Sequence, residues 1–137
     1  EVEECIRREG LEGRVRLLGY VPEKELWRWM KRAQVFVSVS FFEGCPNSVQ
    51  EAMVCGCPVV ISDIPEHREI ANAESAWLVS PNDVDEIAAG VREALDQPAA
   101  ARAKAKRARA RAAEWSIPEA ARQYDQIYRR ILSGAGS

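Results

Sequence analysis

Residues 35–62 read VFVSVSFFEGCPNSVQEAMVCGCPVVIS, and this stretch decides the fold. VFVSVS at 35–40 and PVVIS at 58–62 are short runs rich in β-branched residues, which predicts two strands. Between them the polar loop FFEGCP at 41–46 leads into a helical pattern over about 47–55, which ends at Gly56. Two buried strands joined through a helix are typical of parallel neighbours in one sheet.

The same alternation continues on both sides of this unit. VRLLGYV at 15–21 predicts a further strand before it, and AWLV at 76–79 predicts one after it. DIPEHREI at 63–70 is interpreted as a loop, and residues 98–137 as C-terminal helices. The sequence therefore predicts an α/β domain with a Rossmann-like parallel sheet and helices on both faces.

Composition and charge narrow the class of protein. The chain has 137 residues, a net charge of −2 and a pI of 5.6, which fits one domain and gives no electrostatic reason to bind nucleic acid. No apolar run approaches the ~20 residues that a membrane-spanning helix needs. The alanine- and arginine-rich stretch at 99–113 carries its charges all around the predicted helix, so it is interpreted as a solvated helix and not as a lipid-binding stripe.

The cysteines and the single histidine indicate neither a disulfide framework nor a metal site. Four cysteines in 137 residues are sparse, and Cys55 and Cys57 are closer together than the usual zinc-binding pair. His67 is the only histidine and is interpreted as a polar loop residue. We therefore expect free thiols, a cytoplasmic protein and no metal cofactor.

The loop at 41–48 is the candidate site, because parallel sheets bind ligands beyond the carboxyl ends of their strands. The helix after it is predicted to start at Pro46, as a first helical residue, or just after Asn47, in a capping box with Gln50. Either start leaves the amides near Asn47, Ser48 and Val49 directed out of the helix, which predicts an anion site.

Two carboxylates accompany this anion site. Glu43 lies in the loop, and Glu51 lies one turn into the helix, on the side opposite Val49 and Ala52. On residue chemistry alone Glu51 is either a solvated acid or a group that faces the cleft, and Glu43 is either a loop cap or a ligand-binding group. A carboxylate pair beside a phosphate site suits a nucleotide sugar, because carboxylates accept hydrogen bonds from sugar hydroxyls.

These residues belong to an ordered set of motifs that resembles a known family. SVSFFEGCPNSVQEAMVCGCPVVISDIPEHREI at 38–70 resembles the C-terminal domain of family 4 (group 1) glycosyltransferases, which have the two-domain GT-B architecture. Glu43 and Glu51 match both ends of that family's E-x7-E pattern, and EAM, G-x-P-V-V, Asp63 and Glu69 follow in order. The similarity continues through LVSPNDVDEIA at 78–88 and WSIPEAARQYDQIY at 115–128.

The resemblance implies a retaining transferase that uses a nucleotide-diphospho sugar without a metal. Glu51 resembles the acid that binds the ribose of the donor, and Glu43 resembles the catalytic acid beside the donor sugar and its phosphate. Gly19 and Tyr20 lie where relatives bind the base. The segment expected to contact the hexose and the diphosphate comprises Gly44, Cys45, Asn47 and Ser48.

The resemblance also implies that residues 1–137 form part of a larger enzyme. Relatives begin this domain with further strands that carry an Arg and a Lys, and they hold the acceptor in an N-terminal domain. We therefore expect a chain that is inactive alone and pairs with such an acceptor domain, at the cytoplasmic face of a membrane where acceptors are lipid-linked. The alternative is an interaction module that kept the fold, lost the reaction and uses an exposed sheet edge to pair with another chain.

Overall fold

The computed structural model describes residues 1–134, which form a three-stranded sheet surrounded by helices. The strands are β1 (Phe36–Ser38), β2 (Val59–Ser62) and β3 (Trp77–Val79). The helices are α1 (Val2–Arg8), α2 (Glu23–Arg32), α3 (Asn47–Val54), α4 (Pro65–Ile70), α5 (Val84–Asp96), α6 (Pro98–Ala112) and α7 (Ile117–Gly134), with a short 3-10 turn at Ala113–Trp115.

The strands are parallel and lie in the order β1-β2-β3. Val60 at the centre of β2 is paired with Val37 on one side and with Trp77 on the other. Helix α3 connects β1 to β2, and α4 connects β2 to β3, as expected where parallel strands need a crossover. The α/β parallel fold predicted from residues 35–62 is confirmed.

Both faces of the sheet are covered. Val59 and Ile61 pack on one face with Val49 and Met53 of α3, whereas Val60 packs on the other face in the cluster that contains Val91 of α5. All three β2 valine and isoleucine side chains are fully buried. The continuous apolar run in β2 therefore reflects burial on two sides, which is typical of a parallel sheet.

The strand predicted at 15–21 is absent from the described residues, so that prediction is wrong. Its backbone makes no ladder with β1, β2 or β3, and Leu17 and Leu18 are about half exposed. Gly19 has a φ of +60°, which turns the chain out of the extended conformation. A strand also requires the backbone of a neighbour, and no described strand lies beside this segment.

Residues 65–70, which were predicted to be a loop, form helix α4. Pro65 occupies the start of the helix, where its missing amide costs nothing. His67 and Ile70, one turn apart, point into the interior and are almost completely buried. His67 is therefore not a polar loop residue.

Helix α6 is not a solvated helix, because alanines at helical spacing pack one side of it against the core. Basic side chains of α6 also donate hydrogen bonds to backbone carbonyls in the segment around residues 70–76. Lys104 Nζ donates to Ala76 O at 3.1 Å and lies 5.0 Å from the centre of the Trp77 ring, while Arg111 Nε donates to Ile70 O at 3.1 Å. The buried alanines are Ala101, Ala105, Ala108 and Ala112.

Helix α7 has the predicted amphipathic pattern, but its apolar side is uncovered. Tyr124, Ile127, Tyr128 and Ile131 are all at least half exposed, and the core clusters in the described part of the chain contain none of them. No helix among residues 1–134 is both long enough and apolar enough to cross a bilayer.

Gly90 is the one glycine among residues 1–133 at which an added Cβ would meet other atoms within 4 Å. A Cβ added there would lie 2.9 Å from Val79 Cγ1 and 3.4 Å from Val60 Cγ1, because α5 packs closely on the sheet. We expect Gly90→Ala to lower the free energy of unfolding by about 1–2 kcal/mol, since overpacking outweighs the better helix propensity of alanine. Denaturant titration measures this change.

Gly13→Ala is the matched control, because a Cβ at Gly13 meets no atom within 4 Å and its φ is not left-handed. We expect its unfolding free energy to stay within about 0.5 kcal/mol of the wild type. Equal stability of the Gly90→Ala and Gly13→Ala variants would contradict the close packing of α5 on β3.

Candidate functional site

The start of α3 lies between the two predicted positions. The helix begins at Asn47, and Pro46 precedes it with no side-chain cap. The Asn47 amide donates to Cys45 O at 2.8 Å, and the Asn47 side-chain oxygen accepts from the Cys45 thiol at 3.1 Å. Because Asn47 is engaged with Cys45, it does not form the capping box. In the described part of the chain, the amides of Ser48 and Val49 have no hydrogen-bond partner.

Asn47 and Glu51, one helical turn apart on α3, open onto one cavity of about 680 Å³. Helix α2 and the junction of α6 with α7 form its other walls. Two cations and two aromatic side chains share this cavity with the Glu51 carboxylate and the Asn47 amide. These four residues are Trp27, Lys31, Arg109 and Trp115.

The sequence did not single out these four side chains as site residues. Trp27 and Lys31 are four residues apart and share a side of α2, which is the only local signal that they act together. Arg109 reaches the cavity because the alanine side of α6 packs against α3. A contact between elements so distant in sequence leaves no periodic pattern.

Glu43 lies apart from this cavity, in the loop that follows β1. Its side chain is partly buried, and the Ser40 hydroxyl donates to Glu43 Oε1 at 2.6 Å. The structure therefore places Glu43 near the carboxyl end of β1 and Glu51 in the cavity beside α2. The two ends of the E-x7-E pattern do not line the same cavity.

A buried polar cluster of Ser62 and His67 is linked to Glu43 through Ser40. The Ser62 hydroxyl donates to Ser40 O at 2.6 Å, and His67 Nδ1 lies 2.8 Å from Ser62 O and 3.1 Å from Ser62 Oγ. Ser62 and His67 are both fully buried. Sequence reasoning missed this cluster because residues 65–70 were interpreted as a loop.

The other predicted site residues are exposed. Ser48 and Gly44 lie at the surface. The φ of Gly44 is not left-handed, and a Cβ added to Gly44 would meet no atom within 4 Å. The turn therefore does not itself require glycine at position 44. Gly19 and Tyr20 do not line the cavity, and Tyr20 is 92% exposed. The structure does not bring Gly19 and Tyr20 together with Glu51.

All four cysteines are free thiols in the structure. Burial, and to a lesser extent the neighbouring Cys55, raises the pKa of the Cys57 thiol to about 11. Cys5 and Cys45 are exposed. Among residues 1–134, no three histidine, cysteine or acidic side chains are placed so that they could hold a metal ion.

Alkylation rates are expected to separate these thiols. At pH 8 a thiol of pKa near 11 is roughly one part in a thousand thiolate, so Cys57 should resist iodoacetamide in the folded protein. Cys5 and Cys45 should react first, and all four should react in denaturant. Peptide mass spectrometry measures the order, and labelling of Cys57 as fast as Cys45 in the native protein would contradict it.

Comparison with known proteins places this chain in a family. Residues 1–115 match the family described as glycosyl transferases group 1. The chain is 32% identical over 128 residues to the O-antigen chain mannosyltransferase B of Escherichia coli, covering 93% of this chain and 33% of that protein. It is 30% identical over 131 residues to a GDP-mannose:cellobiosyl-diphosphopolyprenol alpha-mannosyltransferase of Komagataeibacter xylinus, covering 92% of this chain and 33% of that protein.

Solved structures agree with the sequence relatives. Sucrose-phosphate synthase from Thermosynechococcus elongatus superposes with a TM-score of 0.87 at 29% identity, over 97% of this chain and 34% of that one. The chain thus spans about a third of the length of these relatives. The predicted family and GT-B fold are confirmed, and the chain belongs to the glycosyl transferases group 1.

Proposed function

We propose that this chain binds the nucleotide-diphospho sugar donor of a retaining glycosyltransferase. One observation carries the proposal: Glu51 and Asn47 of the E-x7-E segment share a cavity with Lys31 and Arg109. A carboxylate suits sugar hydroxyls and cations suit phosphate, so the cavity contains both chemistries that such a donor requires.

Within this cavity Glu51 accepts hydrogen bonds from the ribose hydroxyls. The amides of Ser48 and Val49 are unpaired at the positive end of α3, although neither residue lines the cavity, and we propose that they face the diphosphate at the mouth of the site. Lys31 and Arg109 add positive charge from two other elements. The charge of the leaving diphosphate is then balanced by protein groups, which is why the proposal requires no metal.

Glu43 is proposed to act at the sugar itself. Its carboxylate, held by Ser40, lies at the carboxyl end of β1, where parallel sheets meet their ligands. Gly44 next to it is exposed and is not required by the turn, so its missing side chain leaves room for a ligand to approach the backbone. Gly19 and Tyr20 remain predicted contacts of the base.

The donor is proposed to carry mannose or a similar hexose. The two relatives described above are named mannosyltransferases, and the name of one specifies GDP-mannose as donor. That name also specifies a polyprenol-linked acceptor, which supports the prediction of peripheral membrane association. A role in polysaccharide assembly follows from the O-antigen chain in the name of the other relative.

We further propose that the chain works as the C-terminal part of a two-domain enzyme and transfers no sugar alone. The apolar side of α7 is uncovered, and Leu17, Leu18 and Val37 are exposed. Exposed apolar surface of this extent is typical of an interface with another part of a protein. The acceptor would bind on that other part.

A panel of nucleoside diphosphates tests donor binding directly. Thermal unfolding is measured with UDP, GDP, ADP and GDP-mannose, with free mannose as the control for the sugar alone. A ligand at 100 times its Kd should stabilise the native state by about 2.7 kcal/mol. Absence of any shift in both the chain and the complete protein would overturn the proposal, whereas binding without turnover in the complete protein would favour the interaction module.

A further inference from the structure

The Glu43 carboxylate is connected to the protein interior by a network of hydrogen bonds that passes through the covalent bonds of Ser40. It begins at Ser40, whose hydroxyl donates to Glu43 Oε1 at 2.6 Å. The Ser40 carbonyl accepts from the Ser62 hydroxyl at 2.6 Å, and His67 Nδ1 contacts Ser62 at 2.8 and 3.1 Å. Glu43 therefore lies at the outer end of a network whose inner end is fully buried.

The direction of each hydrogen bond in the network can be assigned. Ser62 O is a carbonyl and can only accept, so His67 Nδ1 must carry the proton at 2.8 Å. The Ser62 hydroxyl then accepts from Nδ1 at 3.1 Å while it donates to Ser40 O. Ser40 in turn uses its own hydroxyl proton for Glu43, so every proton has one consistent place.

The position of Ser62 explains why the network is needed. The ladder between β1 and β2 ends at the pair Ser38 and Ile61, before the loop that carries Glu43 begins. Ser62 extends the connection by one further hydrogen bond, from its side chain to Ser40 O. Within the described residues this is the side-chain hydrogen bond that joins the segment between β1 and Glu43 to β2, and Val39 adds only apolar packing on the cluster that contains Val60.

The burial of His67 has an energetic cost that simple packing would avoid. Its side chain is fully buried, and Nε2 has no hydrogen-bond partner among the described residues. An unsatisfied buried polar atom costs about 1–3 kcal/mol, which an apolar side chain of similar size would not incur. We therefore expect the Nδ1 proton of His67 to make an interaction that offsets this cost.

We infer that His67, Ser62 and Ser40 are positioning residues, which fix the Glu43 carboxylate against the donor sugar; this inference rests on the proposed function. Glu43 is on a loop, and a loop alone does not hold a side chain within the few tenths of an ångström that a reacting group requires. The network supplies that restraint to the loop after β1 from Ser62 at the end of β2 and His67 of α4.

Ser62→Ala in the complete transferase tests the inference, because it removes the hydroxyl and leaves the backbone carbonyl that His67 contacts. We expect kcat to fall roughly 10- to 100-fold while the KM for the donor changes less than about threefold, since donor contacts remain and only Glu43 is misplaced. Ser40→Ala should likewise lower kcat and leave the KM for the donor nearly unchanged. Ser40→Thr keeps the hydroxyl and should therefore retain most of the wild-type kcat.

Ser75→Ala is the matched control. Ser75 is as fully buried as Ser62 and is hydrogen-bonded to Asn72, in the loop before β3, with no connection to Glu43. It should lower stability without lowering kcat. Equal losses of kcat in the Ser62→Ala and Ser75→Ala variants would show that Ser62 is only a structural residue.

Two further measurements separate this inference from the proposed function. In a Glu43→Gln background, Ser62→Ala should cause little further loss of kcat, because the network acts through the Glu43 carboxylate. In the 137-residue chain, the carbon-13 resonance of the Glu43 carboxyl should shift in Ser62→Ala and stay in place in Ser75→Ala, whether or not sugar is transferred. An unmoved Glu43 resonance in Ser62→Ala overturns the inference even if donor binding is confirmed.

Discussion

In the complete transferase, Glu43→Gln is expected to lower kcat by about 10²–10³-fold, which is the typical loss when one electrostatic contact to a transition state is removed. In the proposed reaction, positive charge develops on the donor sugar as its bond to the leaving diphosphate breaks, and a carboxylate beside the sugar would stabilise that charge. Glutamine has the same length and still accepts a hydrogen bond from Ser40, so only the charge is lost.

The expected signature is a fall in kcat with a donor KM that stays within about threefold, because the lost interaction is made mainly in the transition state. Steady-state kinetics with a labelled donor measure both quantities. Glu86→Gln, which removes an exposed carboxylate on α5, is the control and should transfer sugar at the wild-type rate. A Glu43→Gln enzyme with unchanged kcat would remove Glu43 from the reaction.

The part of the fold that the sequence predicted correctly is the part with local periodic patterns. Each of these patterns lies within a few consecutive residues, namely the β-branched runs of β1 and β2 and the helical spacing of α3. All three elements are present in the structure. VRLLGYV has an equally good strand composition but forms none, because a strand depends on a neighbour that composition does not specify. Its Gly19, with a left-handed φ, was the residue in the segment least suited to a strand.

The residues of the candidate site also differ in whether a local sequence pattern identifies them. Glu43, Asn47 and Glu51 were identified because they lie in one short motif, whereas the cations Lys31 and Arg109 come from helices far from it in sequence. Their approach to Glu51 depends on how α2 and α6 pack against α3, which no local pattern predicts. The sequence therefore singled out Asn47 and Glu51, which line the cavity, and missed Lys31 and Arg109, which line it with them.

The presence of these cations changes the electrostatic expectation for the chain. The motif alone offers carboxylates and helix amides, and the resemblance to the family predicts further basic residues upstream of it. Lys31 and Arg109 supply two positive charges within the described residues, and because both side chains are exposed, each ion pair with a phosphate is worth about 1 kcal/mol or less. Measurable diphosphate binding by the 137-residue chain is therefore expected even without those upstream residues.

Glu51→Ala is expected to weaken donor binding about 10- to 150-fold, which corresponds to the roughly 1.5–3 kcal/mol of a hydrogen bond to a charged group. Isothermal titration with the nucleotide donor measures this loss. Gln50→Ala is the matched control, because Gln50 is the adjacent residue and lines the same cavity but has no charge. Its donor Kd should change less than about threefold.

A donor that lacks the ribose hydroxyls shows whether Glu51 acts through them. Wild-type protein should bind a 2′,3′-dideoxyribose donor about as weakly as Glu51→Ala binds the ordinary donor, because either change removes the same hydrogen bonds. Combining the two changes should then cause little further loss, since the interaction is already absent. Fully additive losses would place Glu51 elsewhere on the donor, and an unchanged Kd in Glu51→Ala would remove it from the site, because a carboxylate that binds ribose cannot be deleted without a cost to binding.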